Sequence, residues 1–206
     1  MTVIRTTQFV VIGIAVSLAS VACSASSGGA ASPTRSAPAH GTPLNSLRPV
    51  DLTGKVSDTA NPVLSPASSR VIAQVRSGPD YLIAYVTGHK CGLLVIRPDS
   101  PRPVQLQVTA AWPKNPSEGS FRLPDGPYLT ATSTSATPGT FASLYCGVNS
   151  EVIEYSSHAT GPTSGAPSGI GPVSVVKPSK VGAPIIVSVG NTRTRNDVTA
   201  HYKKAY

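Results

Sequence analysis

Tyr81-Leu82-Ile83-Ala84-Tyr85-Val86 is followed by Thr87-Gly88-His89-Lys90-Cys91 and then by Gly92-Leu93-Leu94-Val95-Ile96. Two short apolar runs, rich in aliphatic and aromatic residues and separated by a Gly-containing linker, predict a β-hairpin. Just downstream, Val104-Gln105-Leu106-Gln107-Val108-Thr109 alternates apolar and polar residues. That period of two belongs to a strand with one face in a core. Working outward, further strands are expected at Phe121 to Leu123, Tyr128 to Thr132, Phe141 to Cys146, Glu151 to Tyr155, Val173 to Val176, Ile185 to Val189, and Val198 to Tyr202. With 20 Pro and 18 Gly against few charged or aromatic residues, the composition favours strands joined by turns over long helices.

One segment reads two ways. Ser68 to Gly78 (SSRVIAQVRSG) could be a strand, or a short helix with a serine cap and a glycine stop. The expected class is therefore mainly β, a small β-sandwich-like domain, with α+β (a short helix near residues 68–77) as the alternative. Ser156 to Gly171 (SSHATGPTSGAPSGIG) is low-complexity and reads as a long loop. The strands expected after it are too few to stand alone, so they should pair with the main sheet.

The N-terminus carries Arg5 and an apolar run from Phe9 through Val16 to Ala22, followed by Ser24, Ser26, Ser27 and Gly28. The run is short for a membrane span, and no charged stop-transfer flank follows it, so it reads as an export signal. Its end, Leu18-Ala19-Ser20-Val21-Ala22-Cys23, resembles the signal peptide and lipobox of bacterial lipoproteins. That resemblance implies removal of residues 1–22 and a diacylglyceryl group on Cys23, with fatty-acyl chains such as palmitate. The protein would then be held on the extracytoplasmic side of the cell membrane. Each buried methylene contributes about 0.8 kcal/mol, so two chains anchor the protein without any lipid-binding surface of its own. The alternative is an ordinary secretory signal cleaved after Ala22, which leaves Cys23 a plain thiol.

Cysteine parity bears on this choice. The chain has three cysteines. Cys91 and Cys146 both lie beside strand signals and are expected to form a disulfide in an exported domain. A loop of about 55 residues closed in this way stabilises by roughly 4 kcal/mol in the chain-entropy model. Lipidation of Cys23 then accounts for the third cysteine. Trp112 between the pair invites comparison with immunoglobulin domains, but two residues before the second cysteine stands Leu144 rather than tyrosine.

From Ser24 to about Leu47 the chain is Ser, Gly, Ala, Pro and Thr with almost no large apolar residue, a composition that does not fold alone. Residues 23–62 are expected as a flexible tether and residues 63–206 as the exported β domain, with its long loop at 156–171. His40 falls in the tether.

Chemistry is thinly signalled. His89-Lys90-Cys91-Gly92 places a thiol near an imidazole, the pairing of an activated nucleophile, and superficially resembles the His-Gly-Cys run of wall-remodelling transpeptidases. Lys90 stands where the glycine would be, and Cys146 competes as a disulfide partner. Gly165-Ala166-Pro167-Ser168-Gly169 is not the serine-hydrolase elbow, and there is no Ser-x-x-Lys motif. His89, His158 and His201 lack metal-ligand spacing. Glu151 and Glu154, three apart, fall on opposite faces of a strand and cannot act as a carboxylate pair. No catalytic residue, metal or cofactor is expected.

The formal charge is +8. The export context argues against nucleic acid, and the charge admits anionic envelope polymers or another envelope protein as partners, with Lys203-Lys204 contributing. The expected function is a lipid-anchored envelope protein carrying a binding or interaction module. The alternatives are an envelope enzyme whose site assembles only in the fold, and a structural envelope component.

Overall fold

The computed structural model describes residues 41–119, 123–136, 139–157, 166–177 and 182–205. The lipobox with Cys23, the signal segment and the stretch to His40 lie outside the described residues, as do Phe121, Arg122 and His158.

Among the described residues, ten strands form two antiparallel five-stranded sheets. The first takes β1 (Arg70–Ser77), β2 (Asp80–Thr87), β3 (Lys90–Ile96), β4 (Val104–Ala111) and β8 (Ser168–Ile170), in the order β4-β3-β2-β1-β8. The second takes β5 (Leu129–Thr134), β6 (Phe141–Cys146), β7 (Ser150–Ser156), β9 (Val173–Val176) and β10 (Ile185–Gly190), in the order β5-β6-β7-β10-β9. The hairpin read from residues 81–96 is β2–β3, closed by Gly88-His89 with Gly88 at φ 57°, a conformation in which glycine carries no steric penalty.

The sheets face each other over one core. Leu82, Ala84 and Val86 of β2, Leu93 and Val95 of β3, and Leu106 and Val108 of β4 meet Leu144, Ile153, Tyr155 and Val187 from the second sheet. This is a β-sandwich with a disulfide between Cys91 and Cys146, whose Cα atoms are 5.6 Å apart, joining β3 to β6 across the layers.

Both sheets are also covered outside, which explains the near-continuous apolar runs. Ile83, Tyr85, Leu94 and Ile96 point away from the sandwich and are buried by Val56 and Ala60 of helix α1 (Lys55–Ala60) and by Leu64. Val152 and Ile186 on the other sheet are buried by Val198 and Tyr202 of helix α2 (Thr192–Ala205). A strand covered on both faces loses its polar alternation.

One open reading is decided and three expectations change. The ambiguous segment is strand β1, not a helix; a register shift between Val71 and Ala73 lets both Ile72 and Ala73 enter the core. Val198 to Tyr202 is helix rather than strand, because Thr194, Val198 and Tyr202 recur at helical spacing and are the buried residues of α2. The loop at 156–171 contains β8, which pairs with Gln74 to Arg76. Residues 41–62 belong to the folded domain rather than the tether. Leu44 is fully buried in the main core with its amide on the Val148 carbonyl at 2.9 Å, and Val50 donates to the Val71 carbonyl at 3.0 Å. A few well-spaced apolar residues (Leu44, Leu47, Val56, Ala60) suffice to dock a segment whose average composition is polar.

Candidate functional site

The two ends of the sandwich differ. At one end the β6–β7 turn and the disulfide come together, with Gly41 against Asn149 and Asn191. Cys91 is in the disulfide, so its sulfur is no nucleophile. His89, exposed in the β2–β3 turn, sits edge-on to Trp112 with ring centroids 5.3 Å apart. Tyr128 is buried here, its hydroxyl donating to the Pro124 carbonyl at 2.6 Å and sharing a 2.6 Å hydrogen bond with Ser150. Burial pushes this phenol up to about 12, so it stays protonated and acts as a structural link.

At the opposite end lies a buried ionic cluster that sequence reading missed. Asp80, fully buried at the start of β2, accepts a two-pronged contact from Arg97, Nε to Oδ1 at 2.7 Å and an Nη to Oδ2 at 2.9 Å. The Tyr155 hydroxyl donates to the same carboxylate at 2.8 Å, across from the other sheet. Burial and the neighbouring Asp80 carboxylate hold the Tyr155 phenol far up, and the hydrogen bond that Arg97 donates to Asp80 raises Arg97. Every prong of the carboxylate is occupied by the protein. The cluster ties the sheets together, with Asp80 fully buried.

The carboxylates singled out in sequence separate as expected for a strand. Glu151 points into the core, while Glu154 lies on the outer face and accepts from the Tyr202 hydroxyl at 2.6 Å. His201 is exposed on α2, and Lys203 and Lys204 close that helix. Among the described residues, no group of three or more His, Cys, Asp or Glu could hold a metal ion. None of the described helices is long and apolar enough to cross a membrane, a statement that leaves strand-built membrane proteins aside.

One depression gathers polar groups on the surface, with a volume of about 200 Å³. It lies on the outer face of the first sheet, over β1 and β8. Register builds it in two rows: Tyr81, Arg76 and Ser168 are direct neighbours across three strands, and Ile83, Gln74 and Ile170 form the next row. Residues directly opposite in an antiparallel pair share a face. Gln74, buried, donates to Thr53 Oγ1 at 3.1 Å and accepts from the Thr53 amide at 3.3 Å, which fixes the rim. The Arg76 guanidinium lies over the Tyr81 ring, 5.7 Å from its centroid, and its Nε donates to the Gly78 carbonyl at 3.3 Å. Gly169 is needed for close packing, since a Cβ there would meet Val173 at 2.7 Å. The sequence signal for this site was the alternation Gln74-Val75-Arg76 inside the ambiguous segment. It becomes legible only once that segment is a strand.

Compared with known proteins, the chain matches no family model, no curated protein and no solved structure.

Proposed function

We propose that this chain is a lipid-anchored protein of the cell envelope that presents its β-sandwich as a binding or interaction module on the extracytoplasmic side. The observation that carries the reading is the Cys91–Cys146 disulfide. Disulfides persist in oxidising compartments, which supports export, and the pairing leaves Cys23 as the third cysteine, at the end of its lipobox-like run. The Ser/Gly/Ala/Pro-rich stretch from Ser24 to His40 serves as the spacer between anchor and domain.

Two features favour a module over an enzyme. The Asp80 carboxylate is fully buried and held at both oxygens by Arg97 and Tyr155, and the thiol beside an imidazole is oxidised. The formal charge of +8 for the full chain, from which removal of the leader takes only Arg5, supports an anionic partner. The test is the intact mass of the chain extracted from membranes, together with fractionation of Cys23→Ala. A mass matching residues 23–206 plus a diacylglyceryl group is expected, as is release of the Cys23→Ala chain from the membrane fraction. An unmodified N-terminus, or membrane association unchanged in the variant, would overturn the anchor.

A further inference from the structure

We propose that the depression over β1 and β8 binds the carboxylate end of a small, otherwise neutral ligand, with Arg76 as its anchor. This rests on the binding-module reading and names the ligand class. Arg76 is held at two points, by the Tyr81 ring beneath it and by the Gly78 carbonyl at its Nε. Its two terminal nitrogens have no protein partner among the described residues, so the outer edge of the fork is presented preorganised and open. A planar guanidinium edge matches a carboxylate with two parallel hydrogen bonds.

The rest of the lining sets the body of the ligand. Ser168 stands beside Arg76 in the same cross-strand row and offers a hydroxyl. Thr53 and Gln74 offer short polar groups on the second side, and Ile170, exposed at 42%, gives an apolar wall. Among the described residues, Arg76 is the one charged residue of the lining. A single positive charge balances a monoanion; a phosphate dianion would leave charge uncompensated. A volume of about 200 Å³ fits a unit the size of one sugar ring or one to two small amino acids. A peptide C-terminus and a uronic acid share this chemistry.

Calorimetric titration of the full chain in detergent separates the two sources. The probes are N-acetyl-alanyl-alanine with its C-terminal amide, glucuronate with glucose, and inorganic phosphate. At least one carboxylate should bind about tenfold or more tightly than its neutral counterpart, the margin of a charge-assisted pair, and more tightly than phosphate. Binding of the peptide alone assigns a peptide terminus, binding of glucuronate alone assigns an acidic sugar, and binding of both supports the shared carboxylate. Arg76→Gln should abolish the preference for the charged probe, and Ile170→Trp, which fills the depression from an exposed position and keeps the charge, should weaken both forms. Thermal melts of both variants control for folding, and the Ile170→Trp result stands by itself if Arg76→Gln proves unstable. Equal affinity for acid and amide, tighter binding of phosphate, or full binding by a folded Ile170→Trp chain would overturn the inference. If probes fail on a chain whose mass carries the diacylglyceryl group, this inference falls alone; if probes bind a chain with unmodified Cys23, the anchor reading falls alone.

Discussion

Glu151 and Asp80 are both fully buried carboxyl groups, and the fold treats them in opposite ways. Asp80 is met by the Arg97 fork and the Tyr155 hydroxyl, so its charge is compensated at both oxygens. Glu151 points from β7 into the core between Cys146 and Val189, and neither of its oxygens has a partner among the described residues. Desolvation without compensation favours the neutral acid and raises its pKa well above 4.5. Since the folded pKa exceeds the unfolded one, the contribution of this group is fully present below pH 4.5 and is lost as pH rises from there through the folded value. Glu151→Gln removes the titration while keeping the shape. The variant should match the parent near pH 4 and exceed it at pH 8 by about 1–3 kcal/mol, the desolvation cost of an unpaired buried polar group. Denaturant unfolding of both chains across this range measures the difference. Parallel stability curves, with a constant offset at every pH, would show that Glu151 does not ionise on unfolding.

At the scale of elements, α2 carries the clearest divergence between pattern and structure. Val198-Thr199-Ala200-His201-Tyr202 satisfies a period of two over five residues, and it equally satisfies the helical spacing Thr194, Val198, Tyr202. Three signals settle it as a helix: Asn191 caps the first turn by accepting from the Thr194 amide at 2.9 Å, Lys203 and Lys204 lie in the last turn, and the buried face follows the longer period. The strands around the central hairpin were legible because their turn residues and apolar runs agree. Three-residue β8 was not, since Ser168-Gly169-Ile170 has no pattern beyond the low-complexity segment holding it, and its pairing is set by a strand far away in sequence. The candidate site was illegible for the same reason, because its rows need the register of β2, β1 and β8 together. Helix α2 contributes stability through Tyr202, which packs on Val152 and Ile186 and donates to Glu154. Tyr202→Ala should cost about 3–5 kcal/mol, as other large-to-small aromatic changes do. Hydrogen exchange should quicken in β9 and β10, which α2 covers, before it does in β2 and β3. Uniform quickening across both sheets would mean that α2 is not a locally separable layer.

For the whole molecule, the two sheets are held together by three kinds of link whose strengths differ in origin. The shared apolar core is non-directional, the Asp80–Arg97–Tyr155 cluster pins one end, and the disulfide pins the other. The covalent link acts chiefly on the unfolded chain by closing a loop with a sequence separation of 55. In the chain-entropy model this amounts to roughly 4 kcal/mol, a large part of the 5–15 kcal/mol typical of a domain. Both cysteines are completely buried, so reductant should reach them only after opening. Replacing both, as Cys91→Ala with Cys146→Ala, should therefore lower the urea midpoint and steepen the dependence on urea, because the unfolded chain expands further without its cross-link. The parent chain measured with reductant should approach the double variant only slowly below its midpoint and quickly above it. A double variant with the parent's midpoint would show that the core and the ionic cluster alone set the stability of the sandwich.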